Sequence, residues 1–117
     1  METSTDCKLL RIFIGENDRL GQQPLYETIV FEARRQGLSG ATVTRGVMGF
    51  GADSVIHTSK LFEISTDLPL VIEIVDDEEK IRNFVLTVDN LFEQTGSGGL
   101  ITLEKAEVIR YSPGKKD

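Results

Sequence analysis

The residues best suited to hold a ligand are glycines, and they fall in two clusters. One is Gly46-Val47-Met48-Gly49-Phe50-Gly51 and the other is Thr95-Gly96-Ser97-Gly98-Gly99. A residue without a Cβ lets backbone N–H groups approach an anion, and successive N–H groups can form an anion-binding nest. Each cluster also fits a plainer reading. Gly49 and Gly51 suit a β-bulge or the exit of a strand, and Gly96–Gly99 suits a flexible connector from helix to strand. The remaining candidates for chemistry are sparse. His57 is the only histidine. It could titrate near neutral pH or bind a metal beside Asp53 or Glu63, but an exposed loop residue without a task is the favoured reading. Cys7 is the only cysteine, which excludes an intrachain disulfide and a cysteine-based zinc site within one chain. The run Asp76-Asp77-Glu78-Glu79 is explained by the head of a helix, where carboxylates complement the dipole. No Ser-His-Asp pattern, HExxH or GxxxxGK[ST] is present. No catalytic or metal-ligating residue is therefore assigned, and the expected activity is binding. An enzyme working through a carboxylate in an open cleft is the weakest alternative.

The elements that must position the glycines follow from hydrophobic periodicity. Lys8–Ile14 alternates as a strand, with Leu10, Ile12 and Ile14 on one face and Leu9 and Phe13 on the other. Gln22–Gln36 reads as a helix, with Pro24 in its first turn, the row Leu25, Ile29, Ala33, and Gly37 as its stop. Ala41–Phe50 reads as a second strand, and 52–67 as a long excursion with a short strand near Leu61–Ile64. Leu68–Val75 is the most apolar run and suits a buried strand. Asp76 or Asp77 then caps a helix, with Asp76 and Glu79 spaced as a capping box, and Ile81, Phe84, Val85, Val88, Leu91 and Phe92 keep helical spacing. Leu100–Leu103 and Ala106–Tyr111 close the chain as one bent strand or a short hairpin. The order is β-α-β-loop-β-α-β, an α+β, ferredoxin-like sandwich whose antiparallel sheet carries two helices on one face. The uncovered face holds enough apolar side chains to call for cover by other subunits.

The chain has 117 residues, 39% hydrophobic and 27% charged, which suits a single domain over 1–117 with a core at about 8–111. Its net charge of −6 comes from 19 acidic and 13 basic residues without a basic stripe, so a nucleic-acid partner is not expected. Met1–Lys8 is polar and no apolar run approaches ~20 residues, so a cytoplasmic location is expected.

The stretch Ala41-Thr42-Val43-Thr44-Arg45-Gly46-Val47-Met48-Gly49-Phe50-Gly51 resembles the end of the second strand in PII signal-transduction proteins, where a Gly-Phe-Gly turn opens the T-loop. Thr95-Gly96-Ser97-Gly98-Gly99-Leu100-Ile101 resembles a shortened PII B-loop. The opening Leu10-Arg11-Ile12-Phe13-Ile14-Gly15-Glu16, followed by Leu25-Tyr26, is similar to the bacterial and archaeal PII-like domain-of-unknown-function branch, whose genes often stand near fluoride-channel genes. The resemblance spans roughly 8–111. It implies a homotrimer that binds a small ligand, an adenine nucleotide in PII proteins, in clefts between subunits. It also implies a T-loop-like segment at about 51–67 that docks on a partner, a membrane channel or transporter being one candidate. Carried over by position, Thr42, Gly49, Phe50 and Gly51 would lie at the base or side of the cleft, and Thr95, Gly96, Gly98 and Gly99 would face the phosphates. Three cations of the PII pattern are replaced here by Ala52, Leu70 and Leu100. Arg45, Lys60 and Arg110 could compensate, and a different nucleotide, a smaller anion or no nucleotide at all stay open as ligands. A trimeric metal-responsive module, similar to the divalent-cation tolerance proteins, is the alternative from the same architecture.

Overall fold

The computed structural model describes residues 6–52, 56–58 and 67–115. Strand β1 (Cys7–Gly15) leads through a two-stranded ribbon, β2 (Arg19–Leu20) and β3 (Gln23–Pro24), into helix α1 (Leu25–Arg35). Strand β4 (Thr42–Arg45) follows, then a second ribbon of β5 (Met48–Gly49) and β6 (His57–Thr58). Strand β7 (Pro69–Asp77), helix α2 (Glu78–Thr95) and strand β8 (Leu100–Ala106) complete the order. The main sheet runs β4-β7-β1-β8 with every pair antiparallel. This is the βαββαβ arrangement expected from the periodicity, with the ribbons as additions.

Register explains the core. Ile12 stands between Ile72 and Ile101, and Ile72 in turn faces Val43, so one apolar row crosses all four strands. Because side chains alternate along a strand, Leu10, Ile14, Leu70 and Ile74 point to the same side. Leu25, Ile29 and Ala33 of α1 and Ile81, Phe84, Val88 and Leu91 of α2 close over them. Burying each such Leu, Ile or Phe side chain is worth roughly 1.5–3 kcal/mol. Helix α1 ends through Gly37: the Leu38 N–H reaches the Ala33 carbonyl at 3.1 Å and the Gly37 N–H reaches that of Arg34 at 3.1 Å.

Four features differ from the sequence expectation. The first helix starts at Leu25 because Leu20 and Gln23 pair as a ribbon, which leaves Pro24 at the N-cap. The second strand is not continuous to Phe50. Its ladder stops at Arg45, and the Gly46 N–H turns to the Pro69 carbonyl at 2.7 Å. The expected capping box of Asp76 and Glu79 does not form. Strand β7 stays paired as far as Asp77 opposite Cys7, so Asp76 remains inside the strand and Asp77 is the N-cap, without a side-chain cap bond. The fully buried Asp76 carboxylate instead accepts the N–H groups of Ser39 at 2.8 Å and Asp77 at 2.7 Å, which ties the α1–β4 loop to the end of β7. The strand expected over Ala106–Tyr111 does not form: β8 is a single strand that ends at Ala106 opposite Cys7, where the β1 ladder runs out, and irregular chain follows to 115. The strand expected near Leu61–Ile64, with Asp53, Lys60 and Glu63, lies outside the described residues.

Candidate ligand-binding site

The sheet face away from the helices is built from the alternate residues of the same strands. Its middle row is polar: Thr102, Arg11, Glu73 and Thr42 stand side by side across β8, β1, β7 and β4. Arg11 donates from Nε to Glu73 at 2.9 Å and from Nη1 to the Glu104 carboxylate. On one side of this row lie Leu100, Phe13, Val71 and Thr44, and on the other Leu9 and Val75. Phe13, Val71, Leu9 and Val75 are partly buried and Leu100 is exposed, so the uncovered face carries two apolar zones around a charged girdle.

Over the Leu9–Val75 zone the chain forms a cavity of about 740 Å³. Its floor is Leu9, Val75 and Glu73, one wall is the loop up to Thr42, and the other is the segment after β8 with Arg110 and Tyr111. The Tyr111 hydroxyl donates to the Ser39 carbonyl at 3.2 Å and fastens that segment across the end of the sheet. Cavities of this size, apolar with a few convergent polar groups, suit small organic ligands. Among the described residues Arg110 makes no ion pair, so its charge is open to a ligand.

The two glycine clusters lie at the other end of the sheet, on its two outer strands. The Gly49 turn follows β4 and packs on Pro69. A Cβ at Gly49 would stand 3.1 Å from Pro69 Cγ, so close packing accounts for this glycine. At the opposite edge, a Cβ at Gly99 would stand 2.7 Å from Phe92 Cζ and 3.0 Å from the Phe13 carbonyl oxygen. Gly96 closes α2 in the left-handed conformation at φ +67°, and the Thr95 hydroxyl accepts the Ser97 N–H at 3.1 Å. Gly51 and Gly98 have open space around them and no positive φ. Packing and turn geometry therefore explain Gly49, Gly96 and Gly99, and account for neither Gly51 nor Gly98.

Of the residues carried over by position, only Thr42 lines the cavity, together with Arg110 from the cations that could compensate. Gly49, Phe50 and Gly51 sit beyond one edge of the sheet, Thr95, Gly96, Gly98 and Gly99 beyond the other. With β7 and β1 between β4 and β8, three strand spacings, or about 14 Å, separate the two turns. One chain does not bring them together. Leu70 is buried in the helix-facing core, so its position has no access to a ligand, while Ala52 and Leu100 are exposed. Leu9, Glu73, Val75 and Tyr111 were not legible as site residues, because the cavity exists only once the segment after β8 crosses back to Ser39. Among the described residues no group of three or more His, Cys, Asp or Glu side chains could hold a metal ion, and no helix is long and apolar enough to cross a membrane.

The sheet order and helix placement define a PII-like, ferredoxin-like fold. CPII of Thiomonas intermedia K12, a nitrogen regulatory PII-like protein solved with ADP and bicarbonate, superposes with a TM-score of 0.66 at 19% identity, covering 89% of each chain. Residues 7–108 match the family model DUF190, described as Uncharacterized ACR, COG1993, and the chain belongs to that family. A UPF0166 protein of Aquifex aeolicus (strain VF5) is 42% identical over 102 residues, 87% of this chain and 92% of the relative. A UPF0166 protein of Methanocaldococcus jannaschii is 34% identical over 104 residues, 89% of this chain and 93% of the relative.

Proposed function

We propose that this protein is a PII-like regulator that assembles as a homotrimer and binds an adenine nucleotide, with ADP the best-matched form, in each cleft between subunits. The observation that carries the reading is the division of the site. The cavity beside Thr42 and Arg110 lies at one end of the sheet, and the open glycines Gly51 and Gly98 lie at the other. A ligand that spans both needs the cavity of one subunit and a glycine turn of the next. The apolar floor of Leu9 and Val75 suits the base, Glu73 and Thr42 suit its polar edge, and the open backbone at Gly51 and Gly98 suits phosphate oxygens. The uncovered face supplies the apolar surface that subunit contacts would bury.

The charge count sets the ligand form. Ala52, Leu70 and Leu100 provide no cation, and Arg110 provides one per cavity. Two phosphates are easier to neutralise than three in a chain already at −6. CPII, of the same fold, is bound to ADP in its solved complex. In this reading the protein is a binder and not an enzyme, acts in the cytoplasm, and signals through the segment 51–67 to a membrane channel or transporter. Light scattering on the purified chain and calorimetric titration with ADP test the reading together. A trimer binding one ADP per subunit is expected. A monomer in solution, or no ADP heat from a trimer, contradicts it.

A further inference from the structure

One charged contact at the root of the Gly49 turn has no part in the cavity. Arg45, the last residue of β4, pairs with Glu16, the first residue after β1. The Arg45 side chain is 62% exposed and that of Glu16 only 21%, so the guanidinium is the partner free to swing away. The backbone around the pair is tied into one unit. The Glu16 N–H donates to the Leu68 carbonyl at 2.8 Å, the Asn17 N–H to Asp67 Oδ1 at 2.9 Å, and the Gly46 N–H to the Pro69 carbonyl at 2.7 Å. Around Gly15 the charge is negative: an added Cβ there would meet the carboxylates of Asp67 at 2.8 Å and Asp18 at 3.3 Å.

We propose that Arg45 is an anion-binding residue held in reserve by Glu16, and that phosphate oxygens of a ligand at the Gly49–Gly51 turn take it over. The proposal rests on the nucleotide reading above and deepens it. Three arguments support it. Arg45 is the cation closest in sequence to Gly49–Gly51, in a chain that lacks the three cations of the related pattern. The Arg45 half of the pair is largely exposed, so the guanidinium can exchange Glu16 for another anion without first leaving a buried position. A phosphate, with more charge and planar-fork complementarity to guanidinium, outcompetes a single carboxylate. The exchange has a structural consequence. Once Arg45 leaves, the Glu16 carboxylate loses its counter-charge and can turn out to water, which loosens the segment whose N–H groups hold the Leu68 carbonyl and Asp67. Occupancy at the turn is thereby read at the point where the chain rejoins β7.

Calorimetric titration with ADP of the wild type, Glu16→Gln, Arg45→Gln and the double variant tests this, with thermal melting to confirm that each folds. Glu16→Gln should bind ADP roughly three- to tenfold tighter and Arg45→Gln roughly tenfold weaker. The double variant should match Arg45→Gln, because Glu16 then has nothing to compete for. Amide exchange at Glu16 and Asn17 should quicken when ADP binds the wild type. Wild-type affinity in Glu16→Gln, or a tighter double variant than Arg45→Gln, overturns the proposal while leaving nucleotide binding intact. No ADP binding by any of the four proteins overturns both.

Discussion

The two faces of the main sheet are made by the same four strands, offset by one residue, and they have opposite chemistry. On the helix side the row Ile101, Ile12, Ile72, Val43 is wholly apolar; on the other side the adjacent row Thr102, Arg11, Glu73, Thr42 is wholly polar. The helix-side row is sealed by Phe84, Ile29 and their neighbours, and the polar row is open. Stability is therefore concentrated on one face, and the proposed function puts recognition on the other. A substitution's effect should depend on which face it touches more than on the size of the change.

The largest contrast is between Phe84 and Leu9. Phe84→Ala empties a fully buried site and should destabilise the chain by about 3–5 kcal/mol in urea unfolding. Leu9→Ala, on the cavity floor, should cost under ~1.5 kcal/mol while weakening ADP binding. Equal losses from both would erase the distinction between faces. The two glycines of one turn give the next contrast. Gly99→Ala drives a Cβ into Phe92 and should destabilise by about 1–3 kcal/mol. Gly98→Ala meets nothing within 4 Å, so it should leave the melting temperature unchanged and alter only the ligand titration. A melting loss from Gly98→Ala as large as that from Gly99→Ala would remove the reason to assign Gly98 to a ligand.

The smallest expected effect is at the end of β1. Burial raises the Asp18 carboxyl above the usual carboxylate range, against the Gly15 N–H that it accepts at 2.9 Å, and the Asp67 charge adds to the rise. A raised acid binds protons more readily in the folded than in the unfolded chain, so its contribution to stability falls as pH climbs from the unfolded value of about 3.9 through the folded one. Asp18→Asn should therefore melt slightly higher than the wild type at pH 7, and the difference should vanish near pH 4. A gain that persists unchanged at pH 4 would place its origin in packing.

What was legible in the sequence follows the same division. The helix-facing core was readable because Leu10, Ile12 and Ile14 alternate, and Ile81, Phe84, Val88 and Leu91 repeat, within single elements. Local periodicity carries that information. The open face depends on partners far apart in the chain. Arg11 meets Glu73 and Glu104 across 62 and 93 positions, and Tyr111 reaches Ser39 across 72. No local pattern announces those contacts. The same cause misplaced Asp76. Its spacing to Glu79 fits a helix cap, but its carboxylate is held by Ser39, 37 positions away. The glycine turns were legible as motifs, while the reason for each glycine was not, since it depends on Pro69 and Phe92 arriving from elsewhere.

Whether a ligand site is completed by two chains can be settled by mixing subunits. Arg110→Glu damages the cavity half and Gly98→Asp the turn half, so neither variant alone should bind ADP. Co-refolded in equal amounts, they should form trimers in which about one quarter of the clefts pair an intact cavity with an intact turn, and ADP binding should return to that fraction. No recovery on mixing, with mixed trimers verified by mass spectrometry, would contradict a site shared between subunits.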